Sequence, residues 1–308
     1  MENLHKVAII GLGLIGSSIA RGVRDALPDV TLSGFDRDEA VRSRATKLGL
    51  AHMAGSAAEA VAGADLVILC VPVGAMAAAA ESISSALKLN AIVSDVGSSK
   101  ASVTAELERI LEGKRIVPAH PVAGTENSGP DAGFAALFHC RWCILTPGAA
   151  GDGEAVLVLR RFWEALGAKV EVMDPKHHDM VLAVTSHIPH LIAFTIVGTA
   201  SDLEQVTQSE VIKYSAGGFR DFTRIAASSP VMWRDIFLAN REAVLDTLQR
   251  FSEDLSLLQR AIRLGDGDTL FDLFSRTSAI RRGIVQQGQD TAAPDFGRAN
   301  AQPASIAD

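Results

Sequence analysis

The sequence predicts an α/β protein: an N-terminal doubly wound, mostly parallel sheet followed by an all-helical domain. Three observations carry this. Short apolar runs alternate with helix-compatible stretches through the first half of the 308 residues. The first run, Lys6-Val7-Ala8-Ile9-Ile10, leads straight into Gly11-Leu12-Gly13-Leu14-Ile15-Gly16. From Asp174 onward the strand pattern ends and the apolar spacing becomes helical.

In order, Thr31 to Phe35 is the second strand and Ala57 to Ala62 a helix. The run from Asp65 to Pro72 is apolar throughout, as expected of a strand buried on both faces. Ala91 to Gly97 is the next strand, followed by Ser98-Ser99-Lys100 and a helix to about Leu111. Ile116 to His120, Arg141 to Pro147 and Lys169 to Met173 complete the strand pattern. Such alternation implies right-handed crossovers and a ligand site beyond the carboxyl ends of the strands. Pro72, Ser98 and His120 fall at such ends.

The expected division is a sheet domain over 1–174, a helical domain over 175–285 and a flexible tail over 286–308, polar and without periodicity. In the helical part Val244, Leu248, Phe251, Leu255, Leu258 and Ile262 alternate in steps of four and three. That heptad-like seam suits packing along another helix, across a dimer or within one subunit.

The glycines have separate physical jobs. Gly11 allows the tight turn out of the strand, Gly13 lets backbone approach a pyrophosphate, and Gly16 lets helix and sheet pack closely. The helix start at Leu14 and Ile15 then offers free N–H groups and a positive dipole end. The second strand ends at Asp36, twenty residues after Gly16, where a carboxylate meets the adenosine ribose. This pattern makes the sheet domain Rossmann-like and the cofactor a dinucleotide, with Val71 and Pro72 at the next strand end added to the binding set. Asp36 would repel a 2′-phosphate and so favours NAD over NADP, while Arg37 beside it could accommodate that phosphate or stack on the adenine.

Composition bounds the rest. A hydrophobic share of 48% with 21% charged residues is ordinary for a soluble globular protein. The net charge of −7 without a basic block argues against nucleic acid and membrane surfaces as partners. An anionic substrate must therefore meet a local arginine or lysine. The first strand starts almost at once, leaving no room for a signal peptide, and three cysteines do not make a disulfide framework. A cytoplasmic location is the expectation. Cys140-Arg141-Trp142-Cys143 has the Cys-x-x-Cys spacing but leads into a strand-like run, so packing is favoured over redox or zinc chemistry.

Three segments carry candidate chemistry. His120-Pro121-Val122-Ala123-Gly124-Thr125-Glu126 sets an imidazole at a strand end before a glycine loop, poised to take a proton near neutral pH. A histidine that merely caps the strand fits the position equally. Ser186-His187-Ile188-Pro189-His190 puts two imidazoles in a proline-kinked helical region, downstream of His177-His178-Asp179. Substrate contact or helix packing is favoured there over a metal, and none is expected. Gly217-Gly218-Phe219-Arg220-Asp221-Phe222-Thr223-Arg224-Ile225-Ala226 is a glycine hinge into two arginines, the natural bidentate partners of a carboxylate. Arg220 reads as a surface ion pair with Asp221 or Asp235, and Arg224 as a substrate contact.

These segments in this order, with Asp95-Val96-Gly97-Ser98-Ser99-Lys100 and Trp233, resemble the prephenate and arogenate (cyclohexadienyl) dehydrogenases of tyrosine biosynthesis, the TyrA family. The resemblance runs from Val7 to about Arg282. It implies a Rossmann domain, an all-helical dimerisation domain, a site in the cleft between them, and NAD-dependent oxidative decarboxylation. It also implies that His120 is the catalytic histidine with Ser98 hydrogen-bonding near it. His190 and Arg224, with Thr125 and Ser186, would contact the dianionic substrate. The form expected from the resemblance is the free-standing one, without a fused chorismate mutase segment. Neither His120 nor Arg224 distinguishes prephenate from arogenate; Glu126 and Asp179 are candidates for pairing with the arogenate ammonium, and use of both substrates is expected. Two other classes compete: a β-hydroxyacid dehydrogenase using Lys100, and an NAD-sensing regulator, for which His120 and Arg224 would have no common purpose.

Overall fold

The structure is a computed structural model and describes residues 4–125, 127–148, 152–207 and 217–286. Glu126 and the expected tail beyond residue 286 lie outside the described residues.

Alternate residues of β1 (Lys6–Ile10) face opposite sides of a sheet. Val7 and Ile9 join one core with Leu66, Ile68 and Ile92, while Ala8 and Ile10 join another with Val67, Leu69 and Val93. A run that is apolar at almost every position therefore folds as a strand covered on both faces. The chain continues through α1 (Leu14–Ala26), β2 (Thr31–Phe35), α2 (Glu39–Lys47), β3 (His52–Met53), α3 (Ala57–Val61), β4 (Leu66–Leu69), α4 (Met76–Ile83), β5 (Ile92–Asp95), α5 (Ala101–Ile110) and β6 (Arg115–Ile116). The six strands are parallel in the order β3-β2-β1-β4-β5-β6. The order reverses between β1 and β4, the switch point beyond which such sheets bind ligands.

One expectation needs correction. Ile116 to His120 is not a single strand, and the later strands do not extend the first sheet. Val117 N–H still reaches the Val93 carbonyl at 2.9 Å, but Pro118 has no N–H to continue the ladder. The Pro118 carbonyl instead accepts Thr146 N–H at 2.9 Å, in the neighbourhood of a second sheet. That sheet contains β7 (Ala119–Pro121), β8 (Trp142–Leu145) and, after α6 (Gly153–Ala165), β9 (Lys169–Val172). β7 is antiparallel to β8, and β8 is parallel to β9. His120 thus lies inside β7, not at a carboxyl end of the parallel sheet.

Asp174 caps α7 (Pro175–Leu182) by accepting the N–H groups of Lys176 and His177. A π-turn over Ala183–His187 leads into α8 (Ile188–Thr207). Pro189 lacks the N–H that would continue the α ladder, and the distortion expected there is this π-turn immediately upstream. Among the described residues the α-helices that follow are α9 (Gly217–Thr223), α10 (Pro230–Ala239), α11 (Arg241–Leu264) and α12 (Gly267–Gln286). Packing divides the chain into two compact units, Met1–Val197 with Ile225–Leu245, and Gly198–Arg224 with Asp246–Asp308. Both sheets, α7, the π-turn and α10 belong to the first.

Candidate active site

Two of the three glycines are required by the chain itself. Gly11 has φ +98°, and a Cβ there would lie 2.4 Å from the Cys70 carbonyl oxygen. A Cβ on Gly16 would lie 2.0 Å from the Gly11 carbonyl oxygen. Gly13 differs, since nothing lies within 4 Å of its would-be Cβ. Its lack of a side chain keeps open space at the start of α1, where no side-chain cap and no first-turn carboxylate occupies the helix terminus. A pyrophosphate fits that vacancy in the helix's own hydrogen bonding.

Asp36 follows β2 as expected. One carboxylate oxygen accepts Leu12 N–H at 2.8 Å and the other accepts Asp38 N–H at 3.0 Å. It therefore clips the glycine turn to β2 and still has lone pairs for a ribose. Arg37 is exposed. The guanidinium held at this strand end belongs to Arg42, which lies 5.3 Å over the Phe35 ring and donates to the Asp36 and Arg37 carbonyls. Val71 and Pro72 follow β4, the first half-buried and the second exposed.

The candidate base is held by a hub at the end of β5. Asp95 accepts Gly97 N–H at 2.7 Å, Ala119 N–H at 3.3 Å and the Lys100 ammonium. Lys100 also donates to the Ala119 carbonyl at 2.8 Å. Both polar groups of the residue before His120 are thereby fixed. Lys100 is 0% exposed and engaged with these partners, so it cannot serve as the base of a β-hydroxyacid dehydrogenase.

His120 is 8% exposed, and burial first, then the neighbouring His178, Lys100 and His187, push its ring well below the usual imidazole range. The ring is neutral at neutral pH, the state a base requires. Its Nδ1 lies 2.9 Å from His178 Nε2, and His178 Nδ1 lies 2.9 Å from Asp179 Oδ1. Asp179 accepts the N–H groups of Lys100 at 2.7 Å and Ala101 at 2.9 Å. Asn240 donates to the Asp179 carbonyl at 2.8 Å and lies 3.1 Å from His187 Nδ1. His187 is buried, and desolvation lowers it to about 4.

The other expected site residues are placed as follows. Ser98 is half-buried in the turn after β5, but the His120 ring bonds to His178 and not to Ser98. Thr125 is exposed and its hydroxyl accepts Asn127 N–H at 3.2 Å. The Ser186 carbonyl lies 2.9 Å from His190 Nδ1, and the His190 ring stacks on Trp233 at 3.7 Å. Arg224 is exposed and belongs to the second unit. Asp179 is buried with both oxygens engaged, so it does not discriminate between substrates. Cys143 is buried and its thiol is pushed up by burial, while Cys140 is exposed; the two are unbonded. Among the described residues no group of three His, Cys, Asp or Glu is set to hold a metal. His178 and Asn240 were not legible as site residues; the signal for the first was the His178-Asp179 pair on a proline-started helix.

An open-faced glycine turn, an acceptor after β2 and a buried neutral imidazole define the class as a dinucleotide-dependent dehydrogenase. Comparison makes the class particular. The family model "Prephenate dehydrogenase, nucleotide-binding domain" matches residues 19–172, and "Prephenate dehydrogenase, dimerization domain" matches residues 174–276. The chain is 47% identical over 282 residues to the cyclohexadienyl dehydrogenase of Zymomonas mobilis, covering 91% of this chain and 96% of that one. It is 34% identical to the prephenate dehydrogenase of Bacillus subtilis, covering 94% and 78%. Aquifex aeolicus prephenate dehydrogenase, solved with hydroxyphenyl propionate and NAD+, superposes with a TM-score of 0.86 at 35% identity over 92% of this chain and 99% of that one. The chain belongs to the prephenate dehydrogenase family and is an oxidoreductase. The glycine turn precedes the first matched residue and rests on its own geometry.

Proposed function

We propose that this enzyme oxidatively decarboxylates both prephenate and arogenate with NAD+, forming 4-hydroxyphenylpyruvate and tyrosine respectively. The observation that carries this reading is the buried, neutral His120, whose Nδ1 is engaged with His178 while Nε2 takes no hydrogen bond from a described residue. Bound NAD+ supplies the hydride acceptor. Gly13 and the start of α1 hold its pyrophosphate, and Asp36 accepts from its ribose. Asp36 favours NAD+ over NADP+, whose 2′-phosphate it would repel.

His120 takes the proton of the ring hydroxyl as the carbon bearing it is oxidised. Ser98, half-buried in the turn after β5, is assigned as a hydrogen-bonding group near His120. Arg224 and His190 are assigned to the substrate's carboxylates, and Thr125 and Ser186 to further substrate contacts. Loss of the ring carboxylate as carbon dioxide restores aromaticity and draws the reaction forward. Use of both substrates follows because the assigned contacts address the ring and the carboxylates, not the carbon that carries a keto group or an ammonium. The name of the Zymomonas relative likewise specifies the ring rather than the side chain.

The chain works as a homodimer in the cytoplasm, divided functionally at 174/175, with no nucleic-acid or membrane partner. Of the expected seam on α11, Val244 is buried and Leu248, Phe251 and Leu258 are half-buried, while Leu255 is 48% and Ile262 67% exposed; Phe271 on α12 is 71% exposed. A second copy would cover such a surface. The helical run Pro175–Leu203 is apolar and long enough to cross a membrane, yet His178, Asp179 and His187 on it are buried in protein. That arrangement favours protein contacts over lipid.

NADH formation tests the reading. At equal NAD+, kcat/KM is expected to be measurable with prephenate and with arogenate. Activity confined to one of the two substrates would contradict dual use, and no activity with either would contradict the reaction.

A further inference from the structure

The environment of His120 constrains where its proton sits. Its Nδ1 faces His178 Nε2 at 2.9 Å, and the opposite nitrogen of His178 faces Asp179 at 2.9 Å. We propose that His178 and Asp179 are positioning residues that hold His120 in the Nδ1–H tautomer, leaving Nε2 as the lone pair that receives the substrate's proton. The proposal rests on His120 being the base.

The tautomers follow from connectivity. A carboxylate only accepts, so His178 donates from Nδ1 to Asp179. A neutral His178 then has a bare Nε2, and desolvation keeps that ring below the usual imidazole range despite Asp179. His120 must therefore donate from Nδ1, which leaves its Nε2 unprotonated. The line is anchored at its far end. The Asp179 oxygens accept two N–H groups at the start of α5, where the helix dipole favours negative charge. Asn240 fixes the Asp179 backbone from α10.

The groups facing this line are Asp95, Lys100 and His187. Asp95 and Lys100 offset each other as a buried ion pair, and His187 is neutral. Asp179 is left as the net charge facing His178. In the reaction the substrate O–H bond breaks, the Nε2–H bond of His120 forms, and the O–H electron pair becomes part of the new carbonyl as hydride departs. The positive charge then on His120 is stabilised through its Nδ1–H bond to His178 and on to Asp179. A relay of this kind requires no further reactant.

The test uses the full chain labelled with ¹⁵N at histidine, together with steady-state kinetics. In the wild type the His120 signals at neutral pH should report a proton on Nδ1 and none on Nε2. His178→Leu should lower kcat on the order of 10²-fold or more, with KM and NAD+ affinity little changed, and should lose the Nδ1–H tautomer. His178→Gln, whose amide oxygen can still accept from Nδ1, should keep that tautomer and recover most of kcat. An Nε2–H tautomer in the wild type overturns the proposal, as does a folded His178→Leu enzyme with normal kcat or a His178→Gln enzyme as impaired as His178→Leu. If the leucine variant does not fold, the glutamine variant and the wild-type spectrum decide. His120→Asn run in parallel separates the two levels: normal turnover there removes the base itself, whatever the spectra show.

Discussion

Lys100 has no exposed surface, and its ammonium joins Asp95 to the carbonyl of Ala119, next to the base. Removing one member of a buried pair leaves the other charge uncompensated, which costs about 3–5 kcal/mol. Lys100→Met is therefore expected to lower the unfolding free energy by about that much in a denaturant titration. Arg44→Met, which breaks an exposed pair with Asp131, should leave stability almost unchanged. Equal effects would mean that Lys100 is not the clamp described. This scale also shows what the sequence made legible. Gly11, Gly13, Gly16, Asp36 and His120 could be singled out because residue type and local spacing carry their chemistry. His178 and Asn240 could not, because they act across 58 and 61 residues, on His120 and Asp179 respectively.

The long strands of the parallel sheet were legible one by one, since a strand covered on both faces must be apolar along its length, as β1 and β4 are; the two-residue β3 (His52–Met53) carries too short a pattern to read. The separate second sheet was not. Its existence turns on Pro118 ending one ladder and on an antiparallel pairing of β7 with β8, and apolar pattern does not encode partner or direction. The glycine turn, the element that meets the cofactor, yields its own prediction. Asp36 both repels a 2′-phosphate and holds Leu12 N–H. Asp36→Ser should narrow the kcat/KM preference for NAD+ over NADP+ while raising KM for NAD+. An unchanged ratio would move discrimination to Arg37 or Arg42. The histidines on β7, α7 and the π-turn yield another. His120, His178 and His187 are all held below the ordinary imidazole value, in each case chiefly by burial. The unfolded chain takes up these protons near pH 6.5, and the folded chain only at lower pH. Between those values the unfolded state binds more protons, so stability is full above about pH 6.5 and declines as pH falls. A Tm that stays flat from pH 7.5 to 5 would contradict that burial.

At the scale of the whole molecule, the packing units do not follow the 174/175 division, because residues 175–197 and 225–245 pack with the sheets. The helices that bring His178, Asp179 and Asn240 to the base are therefore part of the unit that contains the glycine turn. The apolar residues left exposed on α11 and α12 predict a dimer by sedimentation at micromolar concentration, and a monomer there would contradict that assignment. The account as a whole stands on His120 as the base of an NAD-dependent oxidation. Its most direct test is the rate of NADH formation with saturating prephenate by the wild type and by His120→Asn, with NAD+ binding and Tm measured on both. The account predicts a kcat lower by roughly 10²–10⁴-fold with NAD+ binding and Tm retained. A near-normal kcat with only a raised KM would contradict it.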